Sequence, residues 1–243
     1  MSHAITFDFH DTLVHCDEWF QLEVRHFPSA FLTWHNQHAG FLAAPQIGAE
    51  LDRAYRRLRL AIIQHGHELS AERSIAVVLD QAGLTVDDEL ISSGVEHLMR
   101  SALDDAHAVP GAQTTIMELS NRGLALGVVS SAVHHPFLEW SLQKLGMLDA
   151  FQVVTTSASC GYYKSRPEIY WHTLKVLGAD ATGSIHVGDS ARFDVDGAGQ
   201  AGMRTVWLKR GTPAPPERVP DLTVATLEGA AQEIIELSSR QRA

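Results

Sequence analysis

The segment Phe7-Asp8-Phe9-His10-Asp11-Thr12-Leu13 puts a carboxylate, an imidazole and a hydroxyl within five residues, directly after the apolar run Ala4-Ile5-Thr6-Phe7. That run reads as a short buried strand, and polar side chains just past a strand's C-terminal end are where open α/β sheets bind ligands. Three later apolar runs are followed by polar groups in the same way: Ser130-Ser131, then Lys164, then Gly188-Asp189 with Asp194. The C-terminal ends of parallel strands converge on one edge. A carboxylate nucleophile, an ammonium, a hydroxyl and two further carboxylates are what phosphoryl transfer through an aspartyl-phosphate requires. Mg²⁺ favours carboxylate oxygen and keeps several waters, so Asp8, Asp189 and one backbone carbonyl suffice to hold it.

These groups meet only if the runs are parallel strands. Strands are expected at 124–130, 151–155, 184–187 and 204–208, with helices between them, one over 112–121 ending at Gly123 and one with Pro167 in its first turn. This rhythm predicts an α/β fold, a Rossmann-like parallel sheet of five or six strands covered on both faces. More than 100 residues separate the first two strands, far more than a crossover needs. Their pattern is helical: Leu51, Tyr55, Leu58 and Ile62 form one stripe, and a second helix fits between Ser70 and Gly83 with Ile75, Val78 and Leu79 inward. A third starts at the capping-box-like Thr85-Val86-Asp87-Asp88 and carries Leu90, Ile91, Val95, Leu98 and Met99. Residues 15–107 are therefore expected to form a helical cap on a core made of 1–14 and 108–243.

With 243 residues the chain can bury a full core, and its net charge of −10 without a Lys/Arg run beyond Arg56-Arg57 argues against nucleic acid or an anionic membrane as partner. Cys16 and Cys160 match neither a zinc spacing nor a disulfide framework and read as free thiols. No segment approaches 18 apolar residues and no leader pattern precedes the first strand, so a soluble cytoplasmic protein is expected.

The order and spacing of these motifs resemble the haloacid dehalogenase (HAD) superfamily of hydrolases, in the branch with a helical cap between the first and second motifs. The resemblance runs over nearly the whole chain. It implies that Asp8 is the nucleophile, that Thr12 and Ser131 border the substrate, and that the Ser130 hydroxyl binds the transferring phosphoryl group. Lys164, in Lys164-Ser165-Arg166-Pro167, resembles the lysine that neutralises nucleophile and phosphate. In Gly188-Asp189-Ser190-Ala191-Arg192-Phe193-Asp194, Asp189 is implied to ligate Mg²⁺ and Asp194 to support the metal site, with the backbone carbonyl of residue 10 as a further ligand. A small phosphorylated metabolite is the implied substrate.

The pattern breaks at His10. In the family's phosphatases that position holds a second aspartate, which protonates the leaving oxygen and then deprotonates the attacking water. Three readings are open: His10 itself serves as acid and base, its charged form favoured by nearby carboxylates; it fills space in a relative that binds phosphorylated ligands with impaired turnover; or the reaction needs no acid there. Phosphonate hydrolysis in the family uses a cap lysine, and residues 15–107 contain none. A dehalogenase-like hydrolase lacks the Gly-Asp pair, because a buried carboxylate with no metal is costly. Asp11 stands where the family usually has glycine and is not expected to replace the missing aspartate.

Other polar groups have blander expectations. Arg53, Arg56, Arg57 and Arg59 read as a solvated helix face, and His65, His67, His134 and His135 as surface or capping residues. His15, Asp17 and Trp19 enter the cap just after the turn, where Trp19 packs the hinge or touches substrate.

Overall fold

The computed structural model describes residues 3–212 and 214–239. The sequence after Leu237 reads as a short polar tail, which lies partly outside the described residues. The first strand, β1 (Ala4–Phe7), is buried throughout, and the chain then turns into a two-residue strand β2 (Val14–His15). Five helices follow: α1 (Asp17–Gln21), continued through a π-helical stretch Leu22–His26 into α2 (Phe27–His38), then α3 (Gly48–His65), α4 (Ala71–Gln81) and α5 (Asp88–Ala102). The chain returns through β3 (His107–Ala108), antiparallel to β2, with Val14 opposite Ala108. From there strand and helix alternate: α6 (Ala112–Asn121), β4 (Ala125–Ser130), α7 (His135–Lys144), β5 (Val153–Thr156), the short α8 (Ser157–Cys160) and α9 (Glu168–Leu177). β6 (Ile185–Gly188) leads through a π-helical turn, Ala191–Gly197, to α10 (Ala198–Gln200), β7 (Arg204–Leu208), β8 (Leu222–Val224) and α11 (Ala231–Ser239).

Among the described residues six strands form one parallel sheet in the order β5-β4-β1-β6-β7-β8. The α/β expectation holds, and β8 is the strand the apolar pattern did not single out, being three residues long and only partly buried. With β1 between β4 and β6, the ends carrying Asp8, Ser130 and Asp189 become neighbours. The two faces of the sheet differ. Ile5, Phe7, Leu126, Val128, Ile185 and Val187 belong to the large core, whereas Ala4 and Val129 join a smaller cluster under Tyr170 and Leu174 of α9. Each large side chain fully buried in this way contributes about 1.5–3 kcal/mol.

The helices between β2 and β3 pack through the expected stripes: Leu51, Tyr55 and Ile62 of α3, Ile75, Val78 and Leu79 of α4, and Ile91, Val95 and Met99 of α5 are buried. Ser70 caps α4 by accepting from the Arg73 backbone N–H at 3.2 Å. The capping box expected at α5 is absent: Asp87 makes no side-chain cap bond, and the helix start is served by acidic Asp88 and Glu89 in its first turn. No described helix is long and apolar enough to cross a membrane.

Candidate active site

β1 ends in a tight turn that fixes the catalytic segment. The Phe9 carbonyl accepts from the N–H groups of Leu13 (2.9 Å) and Val14 (3.0 Å), and Asp11 donates its N–H to the Val14 carbonyl at 2.8 Å. Phe9 and Leu13 are buried and anchor the loop, while Asp8 donates its N–H to Val187 of β6 at 2.8 Å. Asp11 has φ 58°, the left-handed region that favours glycine and that aspartate tolerates better than most residues. It is the position where the family pattern has glycine.

The turn delivers Asp8 into a buried charge cluster. Lys164 Nζ lies 2.5 Å from Asp8 Oδ1 and 2.6 Å from Asp194 Oδ1. Oxygens of Asp8, Asp189 and Asp194 lie within 4.8 Å of one another. Burial opposes the charge on Lys164, but Asp194 and Asp8 outweigh it and hold the ammonium above its ordinary range. Burial likewise opposes ionisation of Asp194, yet Lys164 and a bond from His186 keep its carboxyl well below the usual carboxylate range. Asp8 and Asp189 go the other way. Burial, with repulsion from the neighbouring carboxylates, pushes Asp8 up to about 8 and Asp189 up to about 6. Three carboxylates face one ammonium, so the cluster has a negative excess that its own residues do not neutralise. A hard divalent cation with oxygen ligands fits that donor set.

The other sequence-selected residues fall around this cluster. Ser130, Ser131, Lys164, Asp8, Asp189 and His10 all line one cavity of about 580 Å³. The Ser131 hydroxyl is engaged, accepting from the Lys164 backbone N–H at 3.0 Å, which positions the lysine loop. Thr12 is fully buried and does not line the cavity, so the expected contact with substrate is corrected: its hydroxyl sits 3.4 Å from both Asp8 and Asp189 and bridges those carboxylates.

His10 is placed on the cavity wall, but in an aromatic stack. Its ring lies parallel to Phe20 at 4.6 Å and 4°, with His15 at 5.9 Å and Trp19 at 5.4 Å. Burial pushes the imidazole below its ordinary value, and the neighbouring Asp11 does not reverse this. The expectation that carboxylates favour a charged His10 is therefore corrected. Nε2 is buried without a hydrogen-bond partner among the described residues. Asp11 lies 3.5 Å from His10 Nδ1 and makes its closer bond to His15 at 2.6 Å, which raises His15. Trp19 stacks on Phe137 at 5.3 Å and also lines the cavity.

Several contributors escaped the sequence reading. His186, on β6 beside Thr6 of β1, links Thr6 Oγ1 at 2.8 Å to Asp194 Oδ1 at 3.1 Å, all of it buried. Its signal was one imidazole in an otherwise apolar strand. Arg59 is not on a solvated face. It is buried, bonded to Glu68 through both terminal nitrogens at 2.5 and 3.1 Å, and Ser157 Oγ donates to the same Glu68 at 2.8 Å. Its place four residues after Tyr55 puts it on the buried stripe of α3, which is the physical reason. His134 is likewise buried, beside Trp140, rather than at the surface. Glu23 lines the cavity, 3 % exposed, and burial pushes its carboxyl up to about 8. Gly188 is required because a Cβ there would meet the Asp194 carboxylate at 2.2 Å.

Comparison with known proteins agrees with this geometry. The family model of haloacid dehalogenase-like hydrolases matches residues 63–208. The chain is 26 % identical to the glyceraldehyde 3-phosphate phosphatase of Methanopyrus kandleri over 92 % of this chain and 93 % of the relative. It is 36 % identical to the phosphoserine phosphatase of Thermus thermophilus over 49 % of this chain and 47 % of that protein. Among solved structures, the 2-haloacid dehalogenase of Pseudomonas syringae pv. Tomato superposes with a TM-score of 0.70 at 25 % identity, covering 97 % of this chain and 99 % of that one. The fold, the buried carboxylate–lysine cluster at the strand ends and the family match agree, and the chain belongs to the haloacid dehalogenase-like hydrolases.

Proposed function

We propose that the chain is a Mg²⁺-dependent phosphomonoesterase working through an aspartyl-phosphate on Asp8. The observation that carries this reading is the excess of carboxylate over ammonium where Asp8, Asp189 and Asp194 meet Lys164. Relatives named as glyceraldehyde 3-phosphate and phosphoserine phosphatases support it. Asp8, Asp189 and the His10 backbone carbonyl would hold the ion, with Asp194 in support. A divalent cation there supplies the positive charge that lets two carboxylates stay ionised beside an anionic ester. A buried Asp189 raised to about 6 has no comparable purpose in a dehalogenase-like site.

An Asp8 oxygen attacks phosphorus; the new O–P bond forms as the bond to the alcohol oxygen breaks, and the departing oxygen keeps the electron pair and takes a proton from solvent water to leave as the alcohol. Lys164 and the Ser130 hydroxyl take up charge on the phosphoryl oxygens. Water then attacks phosphorus, the bond to Asp8 breaks, and the carboxylate is restored as phosphate departs. A neutral His10 on the cavity wall is suited to take a proton from that water. Residues 15–107 act as a cap on the β2–β3 ribbon and exclude bulk water.

One observation favours a second reading. The stack of His10 with Phe20 and His15 is what a phosphate-binding relative with impaired turnover would show. Hydrolysis of an aryl and an alkyl phosphate, with Mg²⁺ and with chelator, by wild type, Asp8→Asn and His10→Ala separates the two. Turnover that needs Mg²⁺ and Asp8, and a drop of about 10² on the aryl ester in His10→Ala, supports hydrolysis with His10 serving the water step. Activity that survives chelator or Asp8→Asn overturns the mechanism. Binding of a phosphate analogue without turnover selects the second reading.

A further inference from the structure

The cavity is far larger than its phosphoryl end. At about 580 Å³ it lies within the roughly 300–1,000 Å³ of sites that enclose drug-sized molecules, and a three-carbon alcohol leaves most of it empty. The polar groups that would meet phosphate occupy one end. Most of the remaining wall is Trp19, Phe20, Val24, Leu60, Ile63 and Tyr163. Two of these are bare: Phe20 is 37 % and Leu60 59 % exposed, although large apolar side chains elsewhere in the chain are mostly buried. His10 covers one face of Phe20 in a parallel stack, and the exposure of Phe20 leaves ring surface open for a second planar group.

The cations on this wall are already engaged, one fully and one in part. Arg59, the buried cation facing the cavity, has both terminal nitrogens committed to Glu68. Arg56 is at the rim, exposed, and donates to the Arg25 carbonyl at 3.2 Å. Glu23 has the opposite character. The backbone N–H of Val133 reaches its carboxyl, but Oε2 has no partner among the described residues, in a side chain only 3 % exposed. A buried oxygen left unpaired is costly, and a hydrogen-bonding group on the ligand would relieve that cost.

We propose that the substrate is a phosphate monoester whose alcohol carries a flat aromatic group with a hydrogen-bonding substituent, the ring lying against Phe20 and Leu60 and the substituent meeting Glu23. This rests on the phosphomonoesterase reading and narrows it. It sets the chain apart from its relatives named for three-carbon phosphates, whose alcohols offer no ring to this wall.

The test compares wild-type kcat/KM, in Mg²⁺, for ethyl phosphate, 2-phenylethyl phosphate, 2-(3-aminophenyl)ethyl phosphate, glyceraldehyde 3-phosphate and O-phosphoserine. The phenyl ester should exceed ethyl phosphate on the order of thirty-fold, and the amino group should add about five-fold. Phe20→Ala should bring the phenyl preference to within about three-fold of ethyl, and Glu23→Gln should reduce the amino preference while leaving the phenyl preference in place. Equal turnover of ethyl and phenyl esters, or a preference for O-phosphoserine, overturns the proposal and leaves the phosphomonoesterase reading standing. No turnover of any ester removes that reading and the substrate claim with it. The wild-type series needs no variant, so a misfolded Phe20→Ala does not blunt the test.

Discussion

The two ends of the cavity are built on opposite principles. At the sheet edge, Thr6, His186, Asp194, Lys164 and Asp8 form a buried chain in which each polar group is held by the next. Across from it, Trp19, Phe20, Val24 and Leu60 present shape and apolar surface, with one under-satisfied carboxyl at Glu23. The first end cannot tolerate a changed residue without leaving a buried charge exposed to low dielectric. At the second, the exposed Phe20 and Leu60 can change size and character with little cost to the fold, while Trp19 is fixed in the core. A family can therefore keep one reaction and vary its substrates.

The sharpest way to break this contrast is at Asp8. Asp8→Asn should lower kcat for any ester by at least about 10⁴-fold while the circular dichroism spectrum stays native, because the amide is nearly isosteric and the nucleophile is gone. Next is Lys164→Ala, which strips the shared cation from Asp8 and Asp194. It should cost about 3–5 kcal/mol in urea denaturation near neutral pH, partly recovered as acid protonates the carboxylates. Millimolar Mg²⁺ should raise the wild-type melting temperature, and Asp189→Asn should remove most of that gain.

The opposite wall is probed through Glu23. Burial holds its folded value near 8 against an ordinary 4.5, so the folded chain keeps a proton that the unfolded chain releases. Stability from this group is fully present below about 4.5 and is lost as pH rises towards 8. The melting temperature of Glu23→Gln should therefore decline less over that window than that of wild type. The smallest effect belongs to the exposed Glu96–Arg100 pair, 2.8 Å apart on α5. Glu96→Ala should change stability by no more than about 0.5 kcal/mol. An effect of Lys164→Ala as small as this one would erase the contrast between a locked end and a tolerant one.

The locked end was also the legible one. Asp8 and Asp189 stand at strand ends and Lys164 and Asp194 in the segments that follow β5 and β6, and such places can be read from apolar runs and turn residues. What escaped lies where packing decides. Thr12 is expected against substrate from the family resemblance; only the fold shows its hydroxyl turned between two carboxylates. One of the three readings of His10 has flanking acids favour its charged form, yet the rings of Phe20 and Trp19, ten and nine residues on, decide its solvation. Glu68 meets Ser157 across 89 positions, a distance that no local pattern encodes.

The ribbon of Val14 and His15 with Ala108 and His107 has a consequence for engineering. Where the chain leaves the sheet edge and where it comes back are hydrogen-bonded neighbours, so the ends of everything between them are already joined. Lengthening or exchanging that segment adds little closure entropy to the rest of the fold. A helical insert from a relative, transplanted between residues 15 and 107 with partners supplied for Ser157 and Val133, should bring its own choice of alcohol to an unaltered phosphoryl site.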